Sequence, residues 1–214
     1  MAESGIDVEA LVTEILRFPG PVRLVAIDGP GGAGKTTFAE RLAAAADGAP
    51  IVHTDDFASA DNPIDWWPRL LAEVIEPLSR GDHGRSHRYD WSTNTSAEWC
   101  TVDPAPIVII EGVSAGRHEW AEHLSFVIWI ETPSALRLQR GIERDGPSAA
   151  DQWESWMAAE DAHFARDPVR QRADVIIDGA GCSSRGCAAP SDAARRVAAT
   201  LGSAPTGRSG PIAT

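Results

Sequence analysis

Gly29, Gly34, Lys35 and Thr36 stand in the spacing G-x-x-x-x-G-K-[ST], inside the stretch IDGPGGAGKTTF at 27–38. Between an apolar run and a helical pattern, that spacing is built to hold the phosphates of a nucleotide. Glycines let the chain turn tightly with its N–H groups pointing inward, and the N-terminus of the following helix adds positive potential. The reading assigns the phosphates to Gly29, Gly31, Gly32, Ala33, Gly34, Lys35, Thr36 and Thr37. Lys35 would reach the β- and γ-phosphates, and the Thr36 hydroxyl would hold Mg2+. Lys35 is also the only lysine: of 19 basic residues, every other one is arginine. A compact ammonium on a flexible stem fits inside a backbone cradle where a planar guanidinium does not.

Carboxylates follow at the ends of the next apolar runs. Asp55 and Asp56 close the second run, and one of them could take the proton of an acceptor hydroxyl during phosphoryl transfer. Glu111 closes the third and could hold the magnesium directly or through a water. Arg137, Arg140 and Arg144 fall at i, i+3 and i+7, which puts three guanidiniums on one helix face, able to close over phosphates. Leu138 and Ile142 fall elsewhere on that helix and can face a core. Asp65 and Asp90 could hydrogen-bond acceptor hydroxyls, and Trp66, Tyr89 and Trp91 could stack on a ring, although tryptophans more often pack in a core. His53, His87, His118 and His163 show no metal-ligand spacing and receive no role.

The elements that must position these groups are legible as well. Five continuous apolar runs, at 22–28, 49–55, 106–112, 124–132 and 173–178, read as strands buried on both faces. Helical patterns at 35–46, 64–79, 133–145 and 149–165 separate them, which predicts an α/β fold with a parallel sheet. Beyond the carboxyl ends of such strands lies the binding edge, so the loop, Asp55 and Glu111 are expected together. Residues 1–20 read as an amphipathic helix, 21–178 as the main domain, and 179–214 as loop, short helix at 190–201 and tail. The first segment would dock on the sheet or on a second copy of the chain.

Composition bounds the partners. A formal net charge of −12 argues against nucleic acid, which needs clustered positive charge. No apolar run approaches a membrane span, and Cys100, Cys182 and Cys187 form no ligand-spaced or paired set, so a reduced, cytoplasmic setting is expected.

With these residues in view, the chain resembles the uridine kinase-like family of P-loop kinases, which includes nicotinamide riboside kinase and, more distantly, phosphoribulokinase and pantothenate kinase. The landmarks GPGGAGKTT, DDF, DNPIDWW, YDW, VIIEG, RLQRGIERD and RADVIID come in family order, from about residue 21 to residue 178. The resemblance implies a three-layer P-loop NTPase fold with a five-stranded parallel sheet and a short arginine-bearing lid. It implies Asp55 as the base, Asp65 and Tyr89 on the acceptor, Glu111 near magnesium, and Arg137, Arg140 and Arg144 in the lid. ATP and Mg2+ are the implied cofactors, and a small hydroxyl acceptor of the uridine or cytidine type is the implied partner. The sequence departs from the family's uridine enzymes at Ala58, where they usually carry a tyrosine. It departs again in STNTSAEW, where they carry a His and an Arg that help hold the nucleoside.

Two other readings stand beside this one. IDGPGGAGK is also similar to cytidylate kinases, which phosphorylate a nucleoside monophosphate, but the acidic acceptor segment suits a neutral hydroxyl better. A nucleotide-switched regulatory NTPase is the alternative from another class. A GTPase of that kind needs an Asn-Lys-x-Asp element, which a chain with one lysine lacks.

Overall fold

The computed structural model describes residues 6–57, 66–90 and 95–181, with the backbone alone at 87–90 and 95–98. The expected helix at 190–201 and the expected tail lie outside the described residues.

The chain opens with α1 (Val8–Ile15), whose N-terminus is capped by Asp7 Oδ1 accepting from the Ala10 N–H at 2.9 Å. Its buried face of Val8, Leu11, Val12 and Ile15 joins the cluster formed by α2 (Lys35–Ala45) and one face of the sheet, so the first segment docks on its own domain. Strands β1 (Arg23–Asp28), β2 (Ile51–His53), β5 (Ile107–Glu111), β6 (Leu124–Glu131) and β7 (Val175–Asp178) form one sheet in the order β2-β5-β1-β6-β7. Every neighbouring pair is parallel. All five were expected within a few residues of their bounds.

Alternate residues of each strand feed two cores. Val25, Ile27, Ile109 and Ile128 face Phe38 and Leu42 of α2. Leu24, Ala26, Val108 and Ile110 face Leu70, Val74, Leu78 and Trp120 on the other side. Two buried faces explain why the strands read as unbroken apolar runs, and they make the domain three-layered.

The helix expected at 64–79 is seen from Trp67 as α3 (Trp67–Leu70), a wider π turn (Leu71–Ile75) and α4 (Glu76–Ser79). Pro77 has no N–H to give back to the preceding turn, and the widened turn ahead of it accommodates that loss. Between α4 and β5 lies an antiparallel hairpin of β3 (Gly84–Asp90) and β4 (Thr95–Val102), which no apolar run announced. After β6 come α5 (Ser134–Asp145), α6 (Ala150–Arg166) and α7 (Val169–Arg172).

Register decides what the sheet edge presents. Glu111 is level with Ile27 across one side and with His53 across the other. Asp28, one residue further along β1, therefore sits at the same carboxyl edge as Glu111, His53 and the turn that carries Asp55.

Candidate active site

The loop after β1 has the geometry that its glycines suggest. Gly29 (φ 142°), Gly32 (φ 74°) and Gly34 (φ 100°) all take left-handed backbone. A Cβ on Gly29 would collide with the Ile130 carbonyl, so the loop also lies hard against β6. Gly34 caps α2 and Lys35 opens it, with its side chain buried and Nζ donating to Pro30 O at 3.1 Å. Thr36 is exposed at the helix N-terminus, and its hydroxyl donates to Glu111 Oε1 at 3.3 Å.

Glu111 joins the loop to β2. Its other oxygen lies 2.7 Å from His53 Nδ1, and this partner raises the His53 pKa against the opposing effect of burial. No sequence signal assigns His53 a role, yet its register opposite Glu111 lets it hold that carboxylate from the side away from Thr36.

Asp55 lies in a single 3-10 turn, Thr54–Asp56, directly after β2. Thr54 is buried on Gly112, where any Cβ would strike its hydroxyl, and it donates to Val113 O at 3.3 Å. That packing sets the turn beside Glu111. Asp55 is exposed, yet enough protein surrounds its carboxyl for desolvation to raise its pKa. Lys35 and His53 pull it down, while Glu111 and Asp56 add to the rise. Asp56 is half-buried in the same turn.

A second buried carboxylate underlies the loop. Asp28 accepts N–H bonds from Gly29 at 2.6 Å, Ser114 at 2.9 Å and Gly116 at 2.9 Å. Complete burial outweighs these bonds and the nearby Lys35, and it lifts the Asp28 pKa from 3.8 to about 6. Asp28 ties the phosphate loop to the segment after β5. Sequence reading passed over it as the end of a strand.

The three arginines of α5 divide. Arg137 is buried, and its NH1 lies 3.4 Å from Gly31 O and 3.5 Å from Glu160 Oε2. Arg140 donates to Gly32 O at 3.2 Å, Gly179 O at 3.0 Å and Ala180 O at 3.3 Å, bridging the loop to the turn after β7. Arg144 pairs with Asp145 at 2.8 Å and lies over the Trp153 ring, 5.4 Å from its centroid. It is also within electrostatic reach of Asp55. The buried positions of α5 are Arg137 and Gly141, while Leu138 and Ile142 are only half-buried. The inward face of this helix meets the phosphate loop and Trp153, not an apolar core, which is why polar and small residues occupy it.

Helix α6 was expected as an element but not as part of the site. Trp153 is buried against Gly141 and Gly31, and its indole N–H donates to Asp145 Oδ2 at 2.9 Å. Two turns on, both carboxylate oxygens of Glu160 accept from the Gly31 N–H, at 3.1 and 3.0 Å. A contact spanning 129 residues of sequence leaves no local signal.

On the acceptor side, Asp65 and Trp91 lie outside the described residues, and Tyr89 is described only as backbone in β3, paired with Ser96. Trp66 is buried in a tilted aromatic series, 6.3 Å from Phe57 and 6.4 Å from Trp120 between ring centroids, so it packs in the core. Among the described residues no group of three His, Cys, Asp or Glu side chains is placed to hold a metal. No described helix is long and apolar enough to cross a membrane.

Comparison with known proteins fits this geometry. The family model of the phosphoribulokinase / uridine kinase family matches residues 55–184, more than half of the chain. Uridine kinase of Borrelia duttonii (strain Ly) is 24% identical over 181 residues, spanning 75% of this chain and 88% of that protein. Uridine kinase of Escherichia coli (strain K12) is 28% identical over 129 residues, spanning 56% of this chain and 61% of that one. Among solved structures, one described as a possible uridine kinase from Bacillus stearothermophilus superposes with TM-score 0.61 at 23% identity, covering 79% of this chain and 96% of the other. Phosphoribulokinase from Rhodobacter spheroides superposes with TM-score 0.54 at 13% identity, covering 74% and 70%. At those identities the two structures support the fold alone. The chain belongs to the phosphoribulokinase / uridine kinase family and is a phosphotransferase acting on a hydroxyl group.

Proposed function

We propose that this protein is an ATP- and Mg2+-dependent kinase that transfers the γ-phosphoryl group to a hydroxyl of a small molecule, a nucleoside of the uridine or cytidine type. The observation that carries the reading is the gathering of Lys35, Thr36, Asp55 and Glu111 at one sheet edge, with Glu111 hydrogen-bonded to Thr36. The curated uridine kinases among the relatives support the choice of acceptor.

In this reading the loop amides and Lys35 hold the nucleotide phosphates, and the terminal phosphate faces Asp55. Asp55 accepts the acceptor's hydroxyl proton as that oxygen bonds to the γ-phosphorus. The bond from phosphorus to the β-γ bridging oxygen breaks, and ADP leaves. A carboxylate with a raised pKa is better matched to this proton than an ordinary surface aspartate. Arg144, within electrostatic reach of Asp55, is the lid arginine suited to the charge of the transferring group. Thr36 and Glu111 offer the hard oxygen ligands that Mg2+ takes alongside nucleotide phosphates, which suits one protein carboxylate better than a dedicated cage. The ion would supply neutralisation of the charge on the transferring phosphate group. Asp65, Tyr89 and Trp91 are proposed for the acceptor, with Asp56 beside the base.

The test is ADP release from Mg-ATP over a panel of uridine, cytidine, other nucleosides, nicotinamide riboside, CMP, UMP, pantothenate and several sugars. Acceptor-dependent ADP formation with uridine or cytidine is expected. Stimulation by CMP or UMP alone would replace the acceptor with a nucleoside monophosphate. Hydrolysis that ignores every acceptor and responds to a protein partner would favour a nucleotide switch.

A further inference from the structure

Glu160 places an anion where the phosphate loop should receive one. Both its oxygens accept the Gly31 N–H, at 3.1 and 3.0 Å, and its side chain is only 15% exposed. Lys35 and Arg137 both act on it electrostatically, with Arg137 NH1 at 3.5 Å. So one carboxylate takes a loop amide, lies beside Arg137 and feels the charge of Lys35, which are the groups a nucleotide's phosphates would engage. Helix α6 is held in this pose by Trp153, which packs on Gly31 and Gly141.

The α- and β-phosphates of a bound nucleotide are cradled by N–H groups of such a loop, with the N-terminus of α2 adding its positive end. Gly31 lies further back, in the turn closed by the Ala33 N–H on Pro30 O at 3.2 Å, and Lys35 reaches the β- and γ-phosphates. Because Lys35, which reaches the γ-phosphate, and Arg137 both act on Glu160, we place the carboxylate on the terminal-phosphate side of the cradle. A γ-phosphate and a buried carboxylate cannot share that position, because each needs the same donors and like charges repel at close range.

We infer that Glu160 is a specificity-determining residue that reads the γ-phosphate: it closes the loop in the absence of a triphosphate, is displaced by ATP, and stays in place over ADP. This rests on the reading of the loop as the ATP site. ATP binding then has to break the Glu160 contacts and hands Arg137 and the Gly31 amide to the terminal phosphate. Once the phosphoryl group has moved to the acceptor, the carboxylate returns to the donors it left while ADP is still bound.

The experiment is calorimetric titration of the full chain, without acceptor, by ADP and by a non-hydrolysable β,γ-imido triphosphate. Wild type and Glu160→Gln are compared. The glutamine keeps the shape and removes the charge that competes with phosphate. The variant should bind the triphosphate roughly tenfold or more tightly than wild type, the scale of a charge-assisted hydrogen bond, with ADP affinity within about twofold. Equal shifts for both nucleotides, or unchanged or weakened triphosphate binding, would overturn the inference.

A wild-type measurement covers the case in which the variant does not fold. Trp156, exposed and T-shaped against Trp153 at 5.9 Å, reports on α6 through its emission. The triphosphate should change that emission and ADP should not, and Trp156→Phe should remove the difference. Identical responses to both nucleotides would also overturn the inference. Failure of wild type to bind either nucleotide would instead overturn the reading of the loop, and the gate with it.

Discussion

His53 Nδ1 lies 2.7 Å from Glu111 Oε2, while Oε1 of the same carboxylate accepts the Thr36 hydroxyl at 3.3 Å. One glutamate thus links the strand that precedes the proposed base to the proposed phosphate loop. If Glu111 serves the ion, His53 is what aims it. His53→Ala should raise the Mg2+ concentration needed for half-maximal activity by about 10- to 100-fold, the usual cost of losing a partner that orients a ligand. Metal-free ADP binding should change little. Titrating Mg2+ at saturating ATP checks this, and an unchanged requirement would separate His53 from the ion.

Asp55→Asn should reduce turnover by roughly 10²- to 10⁴-fold while leaving ATP affinity near wild type. The pH dependence follows from the sign of its shift. Burial raises the Asp55 pKa, and the working form of a base is the carboxylate, so activity should fall on acidification at a pH above the ordinary 3.8. The same shift makes the charged form a cost to the native state at neutral pH. Asp55→Asn should therefore melt no lower than wild type while being nearly inactive. A large drop in melting temperature would mean that Asp55 is a structural residue.

That the loop, Asp55 and Glu111 would gather at one sheet edge was readable before any fold was known, because each part of this candidate site has a local cause. The loop is written by its glycines and by a lysine in a chain that otherwise uses arginine. Asp55 and Glu111 were found because apolar runs ended at them. His53 escaped because its importance lies in register, and a three-residue strand does not reveal which carboxylate it will face. Asp28 escaped because a strand-end aspartate looks solvated until its donors from residues 114 and 116 arrive. Glu160 had no sequence signal at all. The β3–β4 hairpin was missed because a two-stranded ribbon outside the main sheet lacks the continuous apolar runs that marked the five core strands.

Asp28 gives the chain a predictable pH response. Its folded pKa of about 6 exceeds the ordinary 3.8, so the native state binds more protons than the unfolded state between those values. Stability from this group is full below about pH 4 and declines as pH rises towards 6, by on the order of 3 kcal/mol. Asp28→Asn should abolish that share of the slope. It should also cost about 1–3 kcal/mol, because its NH2 would face a backbone N–H that had an acceptor. Thermal melts of both proteins from pH 4 to 7 check the difference. Parallel profiles would place the ionisation elsewhere.

Gly141 tests how α6 is held. A Cβ there would run into the Trp153 indole, whose N–H is anchored on Asp145 at 2.9 Å. Gly141→Ala gains helix propensity in isolation, by about 1 kcal/mol. Overpacking against a buried tryptophan opposes it, typically by about 1–3 kcal/mol. The collision is with a rigid ring, not the end of a flexible side chain, so the steric cost should win and the variant should melt below wild type. Trp153→Phe in the Gly141→Ala background relieves the contact with a smaller ring and should recover part of the loss. Measuring the two single variants and the double variant separates the cases. Additive losses would mean that the two residues do not act through their contact, whereas a double variant more stable than Gly141→Ala alone would establish that the glycine is there to seat the tryptophan.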